Sequence, residues 1–197
     1  MPTQMLRRLV PRGLRLRSKM RWKNGRWRLG TTDRMFLEDV VVPGLLATNE
    51  IHRVLDIGVA WYTRSYPRLF ARADYWTVDV DPAKQRIAGA NHHTLSATQL
   101  TDAFRPGMFD LVVCNGVIGW GLNDPSDVEK ALDQCAEVMR AGGWLIVGWN
   151  DMEGRRVPGL DDLLTKRFRR QVLPAVGADH FIPETGYAHR FDFLTKR

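Results

Sequence analysis

The sequence predicts an α/β fold, doubly wound, with a mostly parallel sheet and helices on both faces. Short, wholly apolar runs recur along the chain, each closing on a glycine or a polar turn, and a long amphipathic segment separates the last two. Strands without a polar side must be buried on both faces. That is the signature of a parallel sheet with right-handed crossovers.

The elements follow in order. Thr32 or Asp33 is placed to cap a helix whose apolar face is Met35, Phe36, Leu37, Val40 and Val41, with Pro43-Gly44 as its end. "RVLDIG" from Arg53 is the first strand and "YWTVDV" from Tyr75 the second, while Asn91 to Leu95 form a short further strand. "FDLVVCNG" from Phe109 comes next. In "DPSDVEKALDQCAEVMRAGG", Asp124 to Ser126 offer capping chemistry, and Val128, Ala131, Leu132, Cys135, Val138 and Met139 recur at helical spacing before Gly142-Gly143. "GGWLIVGW" is the following strand. In the closing segment Arg190 to Lys196, Phe191, Phe193 and Thr195 alternate with Asp192, Leu194 and Lys196 as in a β-strand.

A chain of 197 residues is most simply one folded unit, which buries about 70% of its unfolded surface and needs no staple. Cys114 and Cys135 are too few for a disulfide framework and fit a reducing compartment. With no run of about 18 apolar residues and no secretory signal, the expectation is a cytoplasmic protein.

The net charge of +7 is uneven: residues 1–32 carry ten Lys/Arg and no acid, and the rest sums to −3. The expected organisation is therefore a basic arm, 1–32, and a catalytic-type domain, 33–197. The arm is a solvated extension, a transit peptide, or a contact through 1–30 with a membrane surface, nucleic acid or another polyanion. Leu6, Leu9, Val10, Leu14 and Leu16 suit a membrane surface, while Pro11 and Gly13 oppose one continuous helix there.

In an open α/β sheet, ligands bind beyond the carboxyl ends of the strands, and the first strand-to-helix turn is the usual cradle. Gly58 permits close backbone approach, and Asp79, 21 residues further on, stands where a carboxylate receives ribose hydroxyls. "VLDIG", "TVDVDP", "FDLVVCNGVIGWG" and "MRAGGWLIVGW" together resemble the core of class I S-adenosylmethionine-dependent methyltransferases, over Arg53 to Trp149. The resemblance implies a Rossmann-like sheet of seven strands, six parallel and one antiparallel, with S-adenosylmethionine as cofactor. It implies that Asp56, Gly58, Ala60 and Tyr62 form the turn beside the methionine part of the cofactor. It also implies that Asp79 holds the ribose, that Ser96-Ala97 lie near the adenine, and that Asn115 faces cofactor and substrate.

The family's acid-x-Gly-x-Gly-x-Gly pattern here reads Asp56, Ile57, Gly58, Val59, Ala60, Trp61, Tyr62. Alanine is a small change; the tyrosine ring must leave the turn or line the pocket. The expected reading is a modified but working site. Ser96 in place of an acid removes one charge-assisted hydrogen bond to the adenine.

Methyl transfer to a small or medium-sized acceptor follows, with Asn150, Asp151 or His189 as candidates to assist it, Asp151 serving equally as a cap. Trp120 walls a substrate or covers the sheet edge. The basic run Lys166, Arg167, Arg169, Arg170 suits an anionic acceptor. The rival readings are a non-catalytic binding module and a nucleic-acid methyltransferase using the arm, the latter without the Asn/Asp-Pro-Pro-Tyr/Phe motif, since "CNGV" stands in its place. A nicotinamide dehydrogenase would need a three-glycine turn. His92-His93 match no metal-ligand spacing, so no metal is expected.

Overall fold

A computed structural model describes residues 17–23, 25–48 and 50–197. The expected apolar runs become β3 (Arg53–Ile57), β4 (Asp74–Asp79), β5 (Asn91–Thr94), β6 (Phe109–Asn115) and β7 (Met139–Asn150), all mutually parallel. Before them stand β1 (Met20–Lys23) and β2 (Arg26–Leu29), an antiparallel hairpin separate from the main sheet. After them come β8 (Phe168–Arg170), β9 (His180–Phe181) and β10 (His189–Lys196).

The main sheet runs β5-β4-β3-β6-β7-β10-β8, with β9 added onto β10. Since β10 is antiparallel to both β7 and β8, the six other strands of that path run one way and β10 runs against them, as the resemblance implies. The chain leaves β3 toward β4 on one side and returns to β6 on the other. The switch in strand order therefore lies between β3 and β6, where such sheets open a crevice.

Alternation on two buried faces explains the strand composition. On β6, Val112 and Cys114 face one core with Leu55, Leu132, Leu145 and Leu164, while Leu111 and Val113 face another with Leu37, Leu45, Phe70 and Phe191. The first core is covered by α4 (Pro125–Val138), capped by Asp124 accepting from the Ser126 N–H at 2.8 Å, and by α5 (Leu160–Arg167).

The first helix differs from its expectation. It starts after Thr31, not at a cap on Thr32 or Asp33, and runs as α1 (Thr32–Phe36), a π turn (Leu37–Val41) and α2 (Val42–Thr48). Pro43 does not end it, because the π turn just before has already broken the i to i−4 ladder that proline would interrupt. Gly44 is not a stop either. A Cβ there would lie 2.4 Å from the Ala175 Cβ, so the glycine allows close packing. Between β3 and β4 there are only a 3-10 turn at Trp61–Thr63 and the four-residue α3 (Tyr66–Leu69), so the helical layer is thin there. β7 also begins earlier than expected, at Met139.

Part of the basic arm forms the hairpin, and this part is bound to the body. Arg26 reaches Glu38 at 2.5 Å with both side chains buried, and Arg28 pairs with Asp39. Residues 1–16, with the aliphatic positions Leu6 to Leu16, lie outside the described residues.

Candidate active site

Beyond the carboxyl ends of β3, β4 and β6 lies a cleft of about 470 Å³. β3 enters it through Gly58, which has φ of +89° and donates its N–H to the Val78 carbonyl at 2.8 Å. A Cβ at this position would meet Val117 Cγ2 at 2.7 Å, so the turn needs glycine on two counts. The next residue, Val59, donates its N–H to Asp79 Oδ2 at 2.7 Å, and Asp81 donates to Asp79 Oδ1 at 2.9 Å. Asp79 is thus fixed by the turn it faces, with lone pairs left for a ligand.

At Ala60 the chain leaves the glycine pattern for the 3-10 turn. Thr63 closes it, its N–H and hydroxyl both donating to the Ala60 carbonyl at 2.9 Å. Tyr62 therefore stands on a helical turn, not inside a glycine loop, and its ring lines the cleft with the Arg34 guanidinium 4.9 Å from its centroid. Arg34 is buried; its Nη1 donates to the Tyr66 hydroxyl at 3.1 Å, and it forms no ion pair among the described residues.

On the opposite wall Asn115 ends β6. Its Oδ1 lies 3.0 Å from His189 Nε2, while its Nδ2 is buried without a hydrogen-bond partner. Gly148 makes room, because a Cβ there would fall 2.1 Å from Asn115 Oδ1. Burial lowers the His189 imidazole to about 4, against the pull of Asp33, so it is neutral at pH 7. Nearby, Asp33 accepts from the Tyr187 hydroxyl at 2.7 Å. Ser96 and Ala97 line the adjoining edge, where the Ser96 hydroxyl caps a 3-10 helix by accepting from Thr98 N–H at 3.2 Å.

A family model described as a methyltransferase domain matches residues 55–147, the stretch that carries the cleft from β3 to β7. The matched stretch is a methyltransferase domain, and the chain carries the fold of the class I S-adenosylmethionine-dependent methyltransferases. It is a transferase, and S-adenosylmethionine is the family's methyl donor. Solved methyltransferases show the same fold. N-methyltransferase NodS from Bradyrhizobium japonicum, crystallised with S-adenosyl-l-homocysteine, is 19% identical with a TM-score of 0.60, covering 84% of this chain and 93% of its own. A TehB-like S-adenosylmethionine-dependent methyltransferase from Corynebacterium glutamicum is 18% identical at 0.57, covering 79% and 86%. The 1,6-didemethyltoxoflavin-N1-methyltransferase of Burkholderia thailandensis is 16% identical at 0.54, covering 79% and 75%. No curated protein matches the chain by sequence.

Of the residues singled out from sequence, this methyltransferase brings Gly58, Ala60, Tyr62, Asp79, Ser96, Ala97 and Asn115 together on the cleft. Asp56 lies beneath it, buried, accepting from the Tyr75 hydroxyl at 2.6 Å; burial pushes its carboxyl up to about 7. The other three stand behind or beside the wall. His189 backs Asn115. Asn150 is buried, with Oδ1 accepting from Trp120 Nε1 at 2.7 Å and Nδ2 donating to the Tyr187 carbonyl at 2.9 Å. Asp151 pairs with Arg156 at 2.5 Å rather than capping a helix. Trp120 is both wall and cover, half in the cleft and under the Arg155 guanidinium at 3.7 Å.

The basic run does not line the cleft. Lys166 pairs with Glu129 at 2.5 Å, Arg167 with Asp133 at 2.8 Å and Arg170 with Asp192 at 2.6 Å. Arg34 is the residue that sequence reading missed. Its signal is faint, an arginine between Asp33 and Met35 on a helix whose buried face could not be placed precisely.

Proposed function

We propose that this methyltransferase moves the methyl group of S-adenosylmethionine to a small or medium-sized acceptor held against Asn115 and Trp120, and that it works in the cytoplasm. The observation that carries the reading is the convergence of Gly58, Asp79, Ser96-Ala97 and Asn115 from separate strand ends on one cleft. In that reading Asp79 accepts the ribose hydroxyls, Ala97 borders the adenine, and Gly58 and Ala60 give the methionine part room. Arg34, buried beside two phenols and without an ion pair among the described residues, supplies the counter-charge for the donor's own carboxylate. Asp56 acts from below, holding β3 against Tyr75 of β4.

The bound donor supplies a sulfonium methyl that already carries the driving force, so the chain's residues align, enclose and desolvate. Asn115, oriented by His189, offers its free amide edge to the acceptor or to the donor's polar end. A nitrogen acceptor suits this wall, since its lone pair needs no base, and several structural neighbours are named for N-methylation, NodS and the toxoflavin-precursor enzyme among them.

Calorimetric titration with S-adenosylhomocysteine tests the reading. Binding is expected, and Asp79→Ala is expected to weaken it by about 2 kcal/mol, the scale of hydrogen bonds to a charged group. Absence of binding to the unmodified chain sinks the whole reading; an affinity unchanged in the variant removes Asp79 as the ribose ligand.

A further inference from the structure

The β1–β2 hairpin carries two features that neither the fold nor the cleft requires. Trp22 and Trp27 are cross-strand partners whose rings meet edge to face at 5.6 Å, yet they are 59% and 56% exposed. Burying an indole is worth more than burying almost any other side chain, so two adjacent exposed ones are costly to leave in water. Arg17, Lys19 and Arg21 are also exposed and form no ion pair among the described residues; Arg21, the register partner of Arg28, leaves the ribbon on the face opposite the indoles, and the Arg17 guanidinium lies 5.9 Å from the Trp61 ring centroid. Lys23, Arg26 and Arg28 are spent inward, Arg26 on Glu38 and the other two on Asp39.

The hairpin is also firmly mounted. The Ser65 hydroxyl donates to the Trp27 carbonyl at 2.7 Å, and Arg68 donates to the Gly25 carbonyl at 2.7 Å, in addition to the three inward ion pairs. The tryptophans are therefore presented by a rigid element, not by a loose tail.

We propose that this hairpin is a docking surface for an anionic lipid bilayer, with Trp22 and Trp27 seated at the headgroup level and Arg17, Lys19 and Arg21 beside the lipid phosphates. Indoles prefer the membrane–water interface, and each nearby Lys or Arg adds about 1 kcal/mol on an anionic surface. A single-stranded nucleic acid would also welcome cations and aromatic rings, but it stacks bases on open ring faces. Here the edge of one indole is set against the other. The sequence of residues 1–16 points the same way: it mixes Arg7, Arg8, Arg12 and Arg15 with Leu6, Leu9, Val10, Leu14 and Leu16, and aliphatic side chains gain from hydrocarbon, not from phosphate or base.

The test is sedimentation of the full-length chain with vesicles of phosphatidylcholine alone or with about 30% phosphatidylglycerol. Binding is expected to the mixed vesicles only. Trp22→Ser/Trp27→Ser is expected to weaken it by about tenfold or more at an unchanged thermal unfolding midpoint, since both side chains are largely exposed. Lys19→Glu/Arg21→Glu, which keeps both indoles, is expected to lose binding to the mixed vesicles as well. No binding to mixed vesicles overturns the proposal, as does equal binding by the tryptophan variant and the unmodified chain. Tryptophan-dependent binding to a single-stranded oligonucleotide that exceeds binding to vesicles overturns it in favour of nucleic acid.

Discussion

Two buried charges in this molecule, Asp192 and Arg34, are treated in opposite ways. Asp192 is wholly inaccessible and accepts from four donors: Arg170 Nη1 at 2.6 Å, Arg190 Nη2 at 2.7 Å and Nε at 3.0 Å, and Trp149 Nε1 at 2.7 Å. Arg34 is also buried, but it meets a tyrosine hydroxyl at 3.1 Å and the face of Tyr62, and the Asn115 amide across the cleft has an unpartnered nitrogen. A closed cluster in which both carboxylate oxygens are partnered holds β10 in the sheet. A cluster left open holds its unspent capacity for something that arrives. Polar groups of one burial class thus divide by completeness of partnering, not by depth.

The sharpest way to break this comparison is to remove one charge from each cluster and read both stability and ligand affinity. Asp192→Ala leaves Arg170 and Arg190 with one fewer partner at a dry site and is expected to cost about 3–5 kcal/mol of stability, read from the urea midpoint, with S-adenosylhomocysteine affinity nearly unchanged while the protein remains folded. Arg34→Met is expected to do the reverse, weakening that ligand by about 2–3 kcal/mol with little loss of stability, because it removes a charge that forms no ion pair among the described residues. If Arg34→Met unfolds the chain and leaves affinity unchanged, the open cluster is structural after all.

A smaller effect concerns the histidine behind Asn115. His189 in the folded chain is held near 4 by burial, below its ordinary 6.5, so the unfolded chain binds the proton more readily. Stability that rests on neutral His189 is present above pH 6.5 and lost as pH falls toward 4, about 2 kcal/mol between pH 6.5 and 5. Asp56 has the opposite sign: its folded value of about 7 makes stability fall as pH rises from about 4 to 7, so the two partly cancel in the unmodified chain. His189→Gln separates them. Its destabilisation relative to the unmodified chain is expected to shrink by about 2 kcal/mol from pH 6.5 to pH 5, and a gap independent of pH would show that the imidazole is not held neutral by its surroundings.

What sequence reading could and could not see follows from the same physics. The strands around β3, β4, β6 and β7 and the helix α4 were legible because burial writes its period directly into residue type, as Val112 and Cys114 against Leu111 and Val113 demonstrate. Gly58 and Asp79 were legible because turn geometry demands glycine there and the spacing to the acid is set by one crossover. The continuation of the first helix through Pro43 and Gly44 was not, since both residues read as breakers and only the π turn and the contact with Ala175 reverse them. The hairpin had a signal that went unread: Asn24-Gly25, the pair that favours a two-residue turn, stands between "RWK" and "RWR". Arg34 had almost none, because its neighbours Tyr62 and Tyr66 come from 28 and 32 residues away.

The smallest effect sharpens the point about Tyr62, the residue that departs most from the family's glycine pattern. Its hydroxyl lies 3.5 Å from Arg34 Nη2, too far to matter much, whereas its ring carries the guanidinium over its face at 4.9 Å and meets Trp61 edge to face at 5.4 Å. Tyr62→Phe keeps the ring and is expected to leave S-adenosylhomocysteine affinity within about twofold. Tyr62→Gly removes the ring and restores the family's residue; it is expected to lower affinity by about 1 kcal/mol, because an Arg34 released from the aromatic face loses its orientation toward the ligand carboxylate. Tighter binding by Tyr62→Gly would mean that the ring merely obstructs a glycine turn, and Arg34 would then need another explanation for its place in the cleft.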